Sequence, residues 1–204
     1  MSSLSAAIRR HQTKLRQCIK CPDMTGPVVV GQPVVSPVML IGQAPGSKEI
    51  EVGKPFAWTA GKTLFKWFAQ IGLKEEQFRS AVYMAAVCRC FPGKNPKGGD
   101  RVPNQDEINH CASWLQAELK ILQPQLLIPV GKLAISRFMS VKKLNDIIGQ
   151  QHSCEILGFK TDIIPLPHPS GASVWHRIEP GKSLLQQALH TIELHPAWKS
   201  VCSN

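Results

Sequence analysis

The chain has 204 residues, of which 43% are hydrophobic and 19% charged, a composition that excludes wholesale disorder and predicts one folded domain over residues 1–204. No apolar run approaches the roughly 20 residues that span a bilayer, and the basic N-terminus lacks an apolar signal-peptide core, so we expect a cytoplasmic protein without a membrane partner. The 24 Lys and Arg residues exceed the 14 Asp and Glu residues by 10, which favours a polyanionic partner, nucleic acid first.

Short apolar runs alternate with amphipathic segments along the chain. Residues 1–22 contain five Lys or Arg and no acid, and their apolar residues recur at helical spacing, which predicts a basic N-terminal helix leading into Cys18 and Cys21. The predicted elements that follow, in chain order, are a strand at Val38–Ile41, a loop from Gly42 to Gly61, a helix from Leu64 to Gly72, a strand at Val82–Val87, a basic loop at 91–104, a helix between Asn104 and Pro124, a strand at Leu126–Gly131, a helix from Lys132, a strand at Ile163–Leu166 and a helix at Lys182–Leu194.

This alternation predicts an α/β fold, a three-layer αβα sandwich around a central, mainly parallel four-stranded sheet. Ligands of such sheets bind at the carboxyl ends of the strands. Those ends carry Gln43, Cys88 or Cys90, Gly131 and His168. Ala60–Thr63 ends like a phosphate-binding loop, but the glycine which that motif requires at position 56 is Phe, so a nucleotide hydrolase is not expected.

Three short motifs occur along the chain in a fixed order. Gly42-Gln43-Ala44-Pro45-Gly46 follows a strand, Gly53-Lys54-Pro55-Phe56 comes shortly after it, and His168-Pro169-Ser170 ends the last predicted strand. Taken alone, the first motif is a tight turn and Phe56 a core aromatic residue. Together, from about Leu15 to the last helix, they resemble the uracil-DNA glycosylase superfamily, and most closely its iron–sulfur class, often called family 4.

The resemblance implies roles for particular residues. Phe56 would stack on a flipped-out base, replacing the stacking that the base loses on leaving the duplex. His168 would donate a hydrogen bond to the base oxygen O2 as the base departs as an anion. The implied catalytic residues are His168 and Gln43, and the implied base-binding residues are Gly42, Gln43, Ala44, Phe56, Ala86 and His168.

The implied partner is DNA, single- or double-stranded, with a nucleoid-associated monomer as the expected state. The segment Gly171–Arg177 would enter the minor groove, with Trp175 as a wedge and Arg177 as a phosphate contact. The residues expected to contact DNA are Lys62, Ser170, Ser173, Trp175 and Arg177.

The cysteines provide a separate comparison. Seven cysteines without a secretion signal indicate a reducing compartment. The resemblance implies four metal ligands, Cys18, Cys21, Cys90 and Cys111, with Cys88 competing for the place of Cys90. Four thiolates suit a structural [4Fe–4S] cluster, or zinc as the alternative. The simpler interpretation is that Cys111 belongs to the core and that Cys18 and Cys21 are free thiols.

Two positions depart from the family pattern. The family usually has Glu where this chain has Gln43, so Gly42–Gly46 contains no carboxylate, and Glu49 is the nearest acid. Ala86 stands where the family has an Asn that reads the base edge, and Trp58 replaces a small residue nearby. The leading prediction is a monofunctional DNA glycosylase that hydrolyses the N-glycosidic bond of uracil or a related deaminated base. A glycosylase for a bulkier modified pyrimidine and a catalytically weak DNA-binding protein are the alternatives.

Overall fold

A computed structural model describes residues 3–96, 98–171 and 173–203. The strands of its sheet are β1 (Val38–Gly42), β2 (Tyr83–Ala86), β3 (Leu126–Pro129), β4 (His152–Ile156) and β5 (Phe159–Ile163). The helices are α1 (Ser3–Arg16), α2 (Ser47–Val52), α3 (Thr59–Ala69), α4 (Glu75–Ala81), α5 (Gln105–Leu122), α6 (Lys132–Ile135), α7 (Gly181–Leu194) and α8 (Pro196–Cys202). Short 3-10 turns lie at Leu144–Asp146 and Trp175–Arg177.

The strands form one sheet in the order β2-β1-β3-β5-β4, in which β1, β2, β3 and β5 run parallel. β4 pairs antiparallel with β5 through a tight hairpin. The predicted α/β class and mainly parallel sheet are confirmed, with five strands in the described residues instead of four. β4 is missing from the prediction because its residues alternate between half-buried and exposed, as an edge strand does, and form no apolar run.

Helices cover both faces of the sheet. On β1, Leu40 points into a core with Phe68 of α3 and Leu189 of α7, while Met39 and Ile41 point to the opposite face. That opposite face packs against α1 and α5, whose apolar stripes include Ile8 and Leu115. Side chains of a strand alternate between faces, so a strand buried along its whole length needs cover on both sides. The three-layer prediction is confirmed.

The predicted loop between Gly42 and Gly61 contains α2 and the first turn of α3. α2 has no buried residue, so it carries no apolar periodicity from which a sequence could predict it. The strand predicted at Ile163–Leu166 lies earlier, at Phe159–Ile163, and Leu166 instead forms a lone parallel bridge with Val130. This bridge still brings the residues after Leu166 to the carboxyl edge of the sheet. Among the described residues no helix is both long and apolar enough to cross a membrane.

Candidate functional site

A cavity of about 860 Å³ opens at the carboxyl ends of β1 and β2. Its lining includes Gly42–Glu49 after β1, Phe56 and Trp58 before α3, Ala86 at the end of β2, Lys94 and Asp100 of the loop 91–104, and His168. The cavity therefore unites Phe56 and His168, which lie more than a hundred residues apart in the chain. All the residues predicted to bind a base line this one space.

The backbone holds Phe56 in an uncommon conformation. Its φ of 52° lies in the left-handed region, which non-glycine residues adopt at an energetic cost. Arg79, 3% exposed, donates hydrogen bonds to the carbonyl oxygens of Pro55 at 2.9 Å and Phe56 at 3.1 Å. On the other side, a Cβ at Gly61 would lie 1.8 Å from the Phe56 carbonyl oxygen, so only glycine fits there. These contacts fix the Phe56 backbone, and the tip of its ring lies against Gly42, where an added Cβ would be 3.0 Å from Cζ.

His168 has a defined hydrogen-bonding state. Its Nδ1 accepts a hydrogen bond from the backbone N–H of Ser170 at 3.2 Å, so the neutral ring carries its hydrogen on Nε2. Burial lowers the pKa of His168, and the nearby His176 lowers it further. Gly131, with φ of 85°, lies against the ring, and a Cβ there would be 2.9 Å from Cδ2 of His168. The site thus offers a neutral, oriented N–H donor.

The first motif contributes an amide and backbone. Gln43 lines the cavity, and none of the hydrogen bonds found among the described residues uses its side-chain amide. Ala44 lines the cavity as well and also packs against the core below it. Ala86 offers only a methyl group to a base, and its carbonyl oxygen is occupied by a 3.0 Å hydrogen bond from Nε of Arg89.

Two carboxylates flank the first motif, and sequence reasoning had noted only one. Glu49 accepts hydrogen bonds from the backbone N–H groups of Gly46 at 3.1 Å and Trp58 at 3.2 Å, so it braces the loop. Asp100 comes from the loop 91–104, and its Oδ2 would lie 2.7 Å from a Cβ placed on Gly46. Its Oδ1 pairs with Nζ of Lys94 at 2.6 Å. No local signal marks Asp100, because only the folding of a long loop brings it to the cavity.

The residues predicted to contact DNA lie in two groups. Ser170 lines the cavity, Ser173 donates its backbone N–H to the Ser170 carbonyl at 3.0 Å, and Arg177 is exposed. Ala172 of the same segment lies outside the described residues. Lys62 is exposed on α3, with Nζ 5.6 Å from the centre of the Trp58 ring.

Trp175 is the residue predicted as the wedge, and this role stays a prediction. Its ring is half-buried against the core, and its indole N–H donates to Oδ1 of Asn145 at 2.8 Å. The exposed apolar side chains of this segment are Val174 and Ile178, each 58% exposed. An aromatic residue at this spacing is equally consistent with a core anchor, and the core contact decides its position here.

A second cavity, about 370 Å³ in volume, is lined by all four predicted ligand cysteines, Cys18, Cys21, Cys90 and Cys111. Cys88 is fully buried and does not line this cavity, although its thiol interacts with that of Cys111. Burial and the neighbouring cysteines raise the pKa of Cys21 to about 11 and that of Cys90 to about 11. Within the described part of the chain, no group of three or more His, Cys, Asp or Glu side chains is arranged to hold a metal ion.

The chemistry of this second cavity nevertheless suits a soft metal centre. Four cysteines line one space, and thiolates are the ligands that iron–sulfur clusters use. Burial, and after it the charge of the neighbouring cysteines, raises the pKa values of Cys21 and Cys90. A cation or cluster would reverse this effect. Nε1 of Trp114 donates to Sγ of Cys18 at 3.3 Å, the kind of outer contact that orients a thiolate ligand.

Comparison with known proteins gives the family. A model of the uracil DNA glycosylase superfamily matches residues 28–192, which include every residue of the first cavity. Cys18 and Cys21 precede the matched region.

Individual relatives agree with this match. The type-4 uracil-DNA glycosylase of Pyrobaculum aerophilum is 29% identical over 164 residues, covering 76% of this chain and 79% of that protein. The type-4 uracil-DNA glycosylase of Thermotoga maritima is 29% identical over 77% of this chain and 78% of its own length. That of Saccharolobus solfataricus is 30% identical over 66% of this chain and 61% of its own length. The cavity, its motifs and these matches together place the chain in the uracil DNA glycosylase superfamily.

Proposed function

We propose that this protein is a monofunctional DNA glycosylase that removes uracil or a related deaminated base from DNA by hydrolysing the N-glycosidic bond and leaving an abasic site. The single observation that carries the proposal is the shared cavity of Phe56 and His168 beneath the first motif, in a chain of this superfamily. An aromatic face and an oriented N–H donor are the two groups that a flipped, departing base requires.

The pocket would hold the base by stacking and by backbone contacts. Phe56 cannot easily turn away, because Arg79 and Gly61 fix its backbone from two sides. A ring held in advance loses little conformational freedom on binding, so more of the stacking energy remains for extracting the base. The backbone of Gly42–Ala44 borders the same space, and because the carbonyl oxygens of Gly42 and Gln43 already accept the N–H groups of Val87 and Cys88, contacts to a base would come from the other backbone groups of this segment.

His168 would stabilise the departing base. As the glycosidic bond breaks, negative charge develops on the base, and the Nε2–H of the neutral ring can donate to it. Protonation of Nδ1 would require breaking the hydrogen bond from Ser170, which keeps the ring neutral and its orientation fixed. Loss of one such preorganised donor in other enzymes lowers the rate by about 10²–10³-fold.

We expect the pocket to orient the attacking water and to contribute little by deprotonating it. Gln43 provides an amide with oxygen and nitrogen both available to the cavity. A dissociative cleavage produces a strongly electrophilic sugar cation, so an oriented water suffices for its capture. Of the two carboxylates on the cavity wall, we assign the role of proton acceptor to Asp100, because both oxygens of Glu49 already accept backbone N–H groups.

We expect this pocket to select its base less strictly than a pocket in which an Asn side-chain amide hydrogen-bonds the edge of the base. Ala86 forms no hydrogen bond to a base edge through its side chain, and the cavity volume of about 860 Å³ lies toward the upper end of ligand sites. These two observations support a second candidate function, the excision of a bulkier modified pyrimidine. Both candidates use the same Phe56 and His168.

We also propose that Cys18, Cys21, Cys90 and Cys111 hold a [4Fe–4S] cluster, with zinc as the alternative metal. Such a centre would supply structural cross-linking, tying the end of α1 to β2's following loop and to α5. Purified protein with a cluster would have a broad visible absorption band and bound iron and sulfide. Zinc instead of iron, or neither metal after anaerobic purification, would contradict the cluster.

DNA would approach the face on which the first cavity opens. Arg177 and the exposed side chain of Val174 lie beside Ser170 on the segment after His168, so we assign the groove contact to this segment and the wedge to Val174 instead of Trp175. An apolar side chain that is already exposed can enter the base stack without first leaving the core.

The deciding experiment incubates the protein with oligonucleotides that contain uracil, hypoxanthine, xanthine or 5-hydroxymethyluracil, single-stranded and paired, followed by alkaline cleavage. We expect uracil release that His168→Ala lowers by about 10²–10³-fold. His190→Ala is the matched control, because His190 is exposed on α7 and distant from the lining of the cavity. DNA binding without release of any base would leave only the catalytically weak binding protein and would refute the proposal.

A further inference from the structure

An exposed tryptophan stands on the wall of the base cavity. Trp58 lines this cavity, yet its side chain is 50% exposed. Large aromatic side chains are usually buried or held against the core, so a half-exposed indole beside a binding cavity needs a reason. The contacts of Phe56 and His168 give none, since Trp58 belongs to neither their support nor the core clusters.

The backbone at Trp58 is fixed, so the ring is presented from a rigid base. Its N–H donates to Oε1 of Glu49 at 3.2 Å, and its carbonyl oxygen accepts the N–H of Lys62 at 3.0 Å in the first turn of α3. Trp58 is the residue that precedes α3, whose N-terminus adds a favourable field for an anion. An exposed ring on a fixed backbone is a preformed stacking surface.

Two lysines from different helices meet at this ring. Nζ of Lys48, on α2, lies 5.9 Å from the ring centre, and Nζ of Lys62, on α3, lies 5.6 Å from it. Both lysine side chains are solvent-accessible, and Lys48 also pairs with Glu51 at 2.8 Å. Both ammonium groups lie over the ring, so a base that stacks on the indole would displace at least one of them toward the phosphates of the same strand. Aromatic rings combined with cations are the groups with which proteins bind unpaired nucleotides, the ring contacting the base and the cations the phosphates.

We propose that Trp58, Lys48 and Lys62 form a binding platform for an unpaired nucleotide adjacent to the one in the cavity, and that this platform favours single-stranded DNA. The inference rests on the proposed function, because the cavity defines which nucleotide is adjacent. A base must be unpaired and unstacked for its face to meet the indole, so a fully paired neighbour gains nothing from Trp58.

The test compares uracil release by wild type, Trp58→Ala and Trp58→Phe on single-stranded and fully paired oligonucleotides. Stacking on an aromatic ring is worth a factor of roughly 5–150 per base, so Trp58→Ala should lower kcat/KM by that order on the single strand and by less than about twofold on the duplex. Trp58→Phe should retain most of the activity. Equal losses on both substrates, or no loss on either, would overturn the platform.

A second arm removes the base instead of the ring. Single-stranded substrates with an abasic spacer on the 5′ or the 3′ side of uracil should reduce wild-type kcat/KM on one side only, and Trp58→Ala should then lose nothing more. Additive losses would show that the ring and the neighbouring base do not meet. Lys62→Gln should not increase the losses in kcat/KM caused by Trp58→Ala or by the abasic spacer, but it should weaken the salt-dependent binding of DNA. Lys66→Gln, one turn further along α3, is the matched control.

A binding measurement separates the two proposals. In a Trp175→Phe background, which removes the tryptophan of the segment assigned to the DNA groove, fluorescence should be quenched by an unmodified single-stranded oligonucleotide, and adding Trp58→Phe should remove this quenching although three other tryptophans remain. If wild type releases no base, the proposed function fails, and this measurement alone judges the platform. Quenching that persists in Trp58→Phe would reject it.

Discussion

Gly131 offers a way to move the catalytic imidazole without altering it. The ring of His168 packs so closely on this glycine that a Cβ would lie 2.9 Å from Cδ2 and 3.3 Å from the His168 Cβ. These separations are shorter than van der Waals contact, so the ring must shift or rotate. The same residue has φ of 85° and ψ of 158°, a backbone region essentially restricted to glycine, in which another residue costs about 1–3 kcal/mol.

Gly131→Ala therefore combines backbone strain with displacement of His168, and Gly158→Ala isolates the strain. Gly158 has the same φ of 85°, lies in the turn between β4 and β5, and has no atom within 4 Å of an added Cβ. We expect Gly158→Ala to lose about 1–3 kcal/mol of unfolding free energy in urea, and Gly131→Ala to lose more because it adds the steric contact with His168. Only Gly131→Ala should also lose activity, by more than tenfold and up to the 10²–10³-fold expected for losing the donor.

The assay is kcat/KM for uracil release at a temperature where all three proteins are folded by circular dichroism. Adding His168→Ala to Gly131→Ala should lower the activity little further, because the displaced ring no longer donates. If Gly131→Ala and Gly158→Ala retain equal activity, the close packing on His168 does not set its catalytic position, and the reasoning is wrong.

Three other predictions follow from the site. Burial depresses the pKa of His168, so the folded ring is still neutral somewhat below pH 6.5, and kcat/KM should stay constant through pH 6.5 and decline only in more acidic solution. The histidine of the unfolded chain is protonated first as the pH falls, so the stability that this group contributes is lost below pH 6.5. A decline in kcat/KM that is centred above pH 6.5 and is abolished by His168→Ala would contradict this prediction. Arg79→Gln should lower both thermal stability and activity, since a buried guanidinium holding the Phe56 carbonyl is worth about 1.5–3 kcal/mol per charge-assisted bond; unchanged uracil release in a destabilised variant would separate Arg79 from the site. Asp100→Asn keeps a partner for Lys94 and should reduce kcat without changing KM if the carboxylate accepts the proton of water; a change in KM alone would assign it to DNA binding instead.

The sequence supports the architecture and the central pair of site residues for physical reasons. Buried parallel strands are continuous apolar runs, so Val38–Ile41 and Leu126–Ile128 are recognisable without a structure. Phe56 and His168 belong to short motifs whose order is visible in the chain. The shared cavity then follows from sheet topology, which brings the ends of parallel strands to one edge.

The residues that hold the site residues in place could not be predicted from the sequence. Arg79 reaches Phe56 across 23 positions from a helix that has no motif, and Asp100 reaches Gly46 only through the path of a long loop. Trp175 has the residue type of a wedge, but packing against the core and Asn145 decides its position. Tertiary contacts of this kind leave no periodic or local pattern in the chain.

The inner wall of the base cavity is made where backbone and rings approach glycine. An added Cβ would collide with the Phe56 backbone at Gly61, would lie 2.9 Å from the His168 ring at Gly131, and would lie 3.0 Å from the Phe56 ring at Gly42. A side chain at these positions would therefore displace Phe56 or His168, whereas Trp58 on the rim of the cavity is half-exposed and leaves room for other side chains. The cavity residues Gln43 and Ala86 already depart from the expected family pattern, so a change in substrate range is expected at these two positions and at exposed residues such as Trp58, whereas the glycines packed against Phe56 and His168 constrain the positions of the two rings.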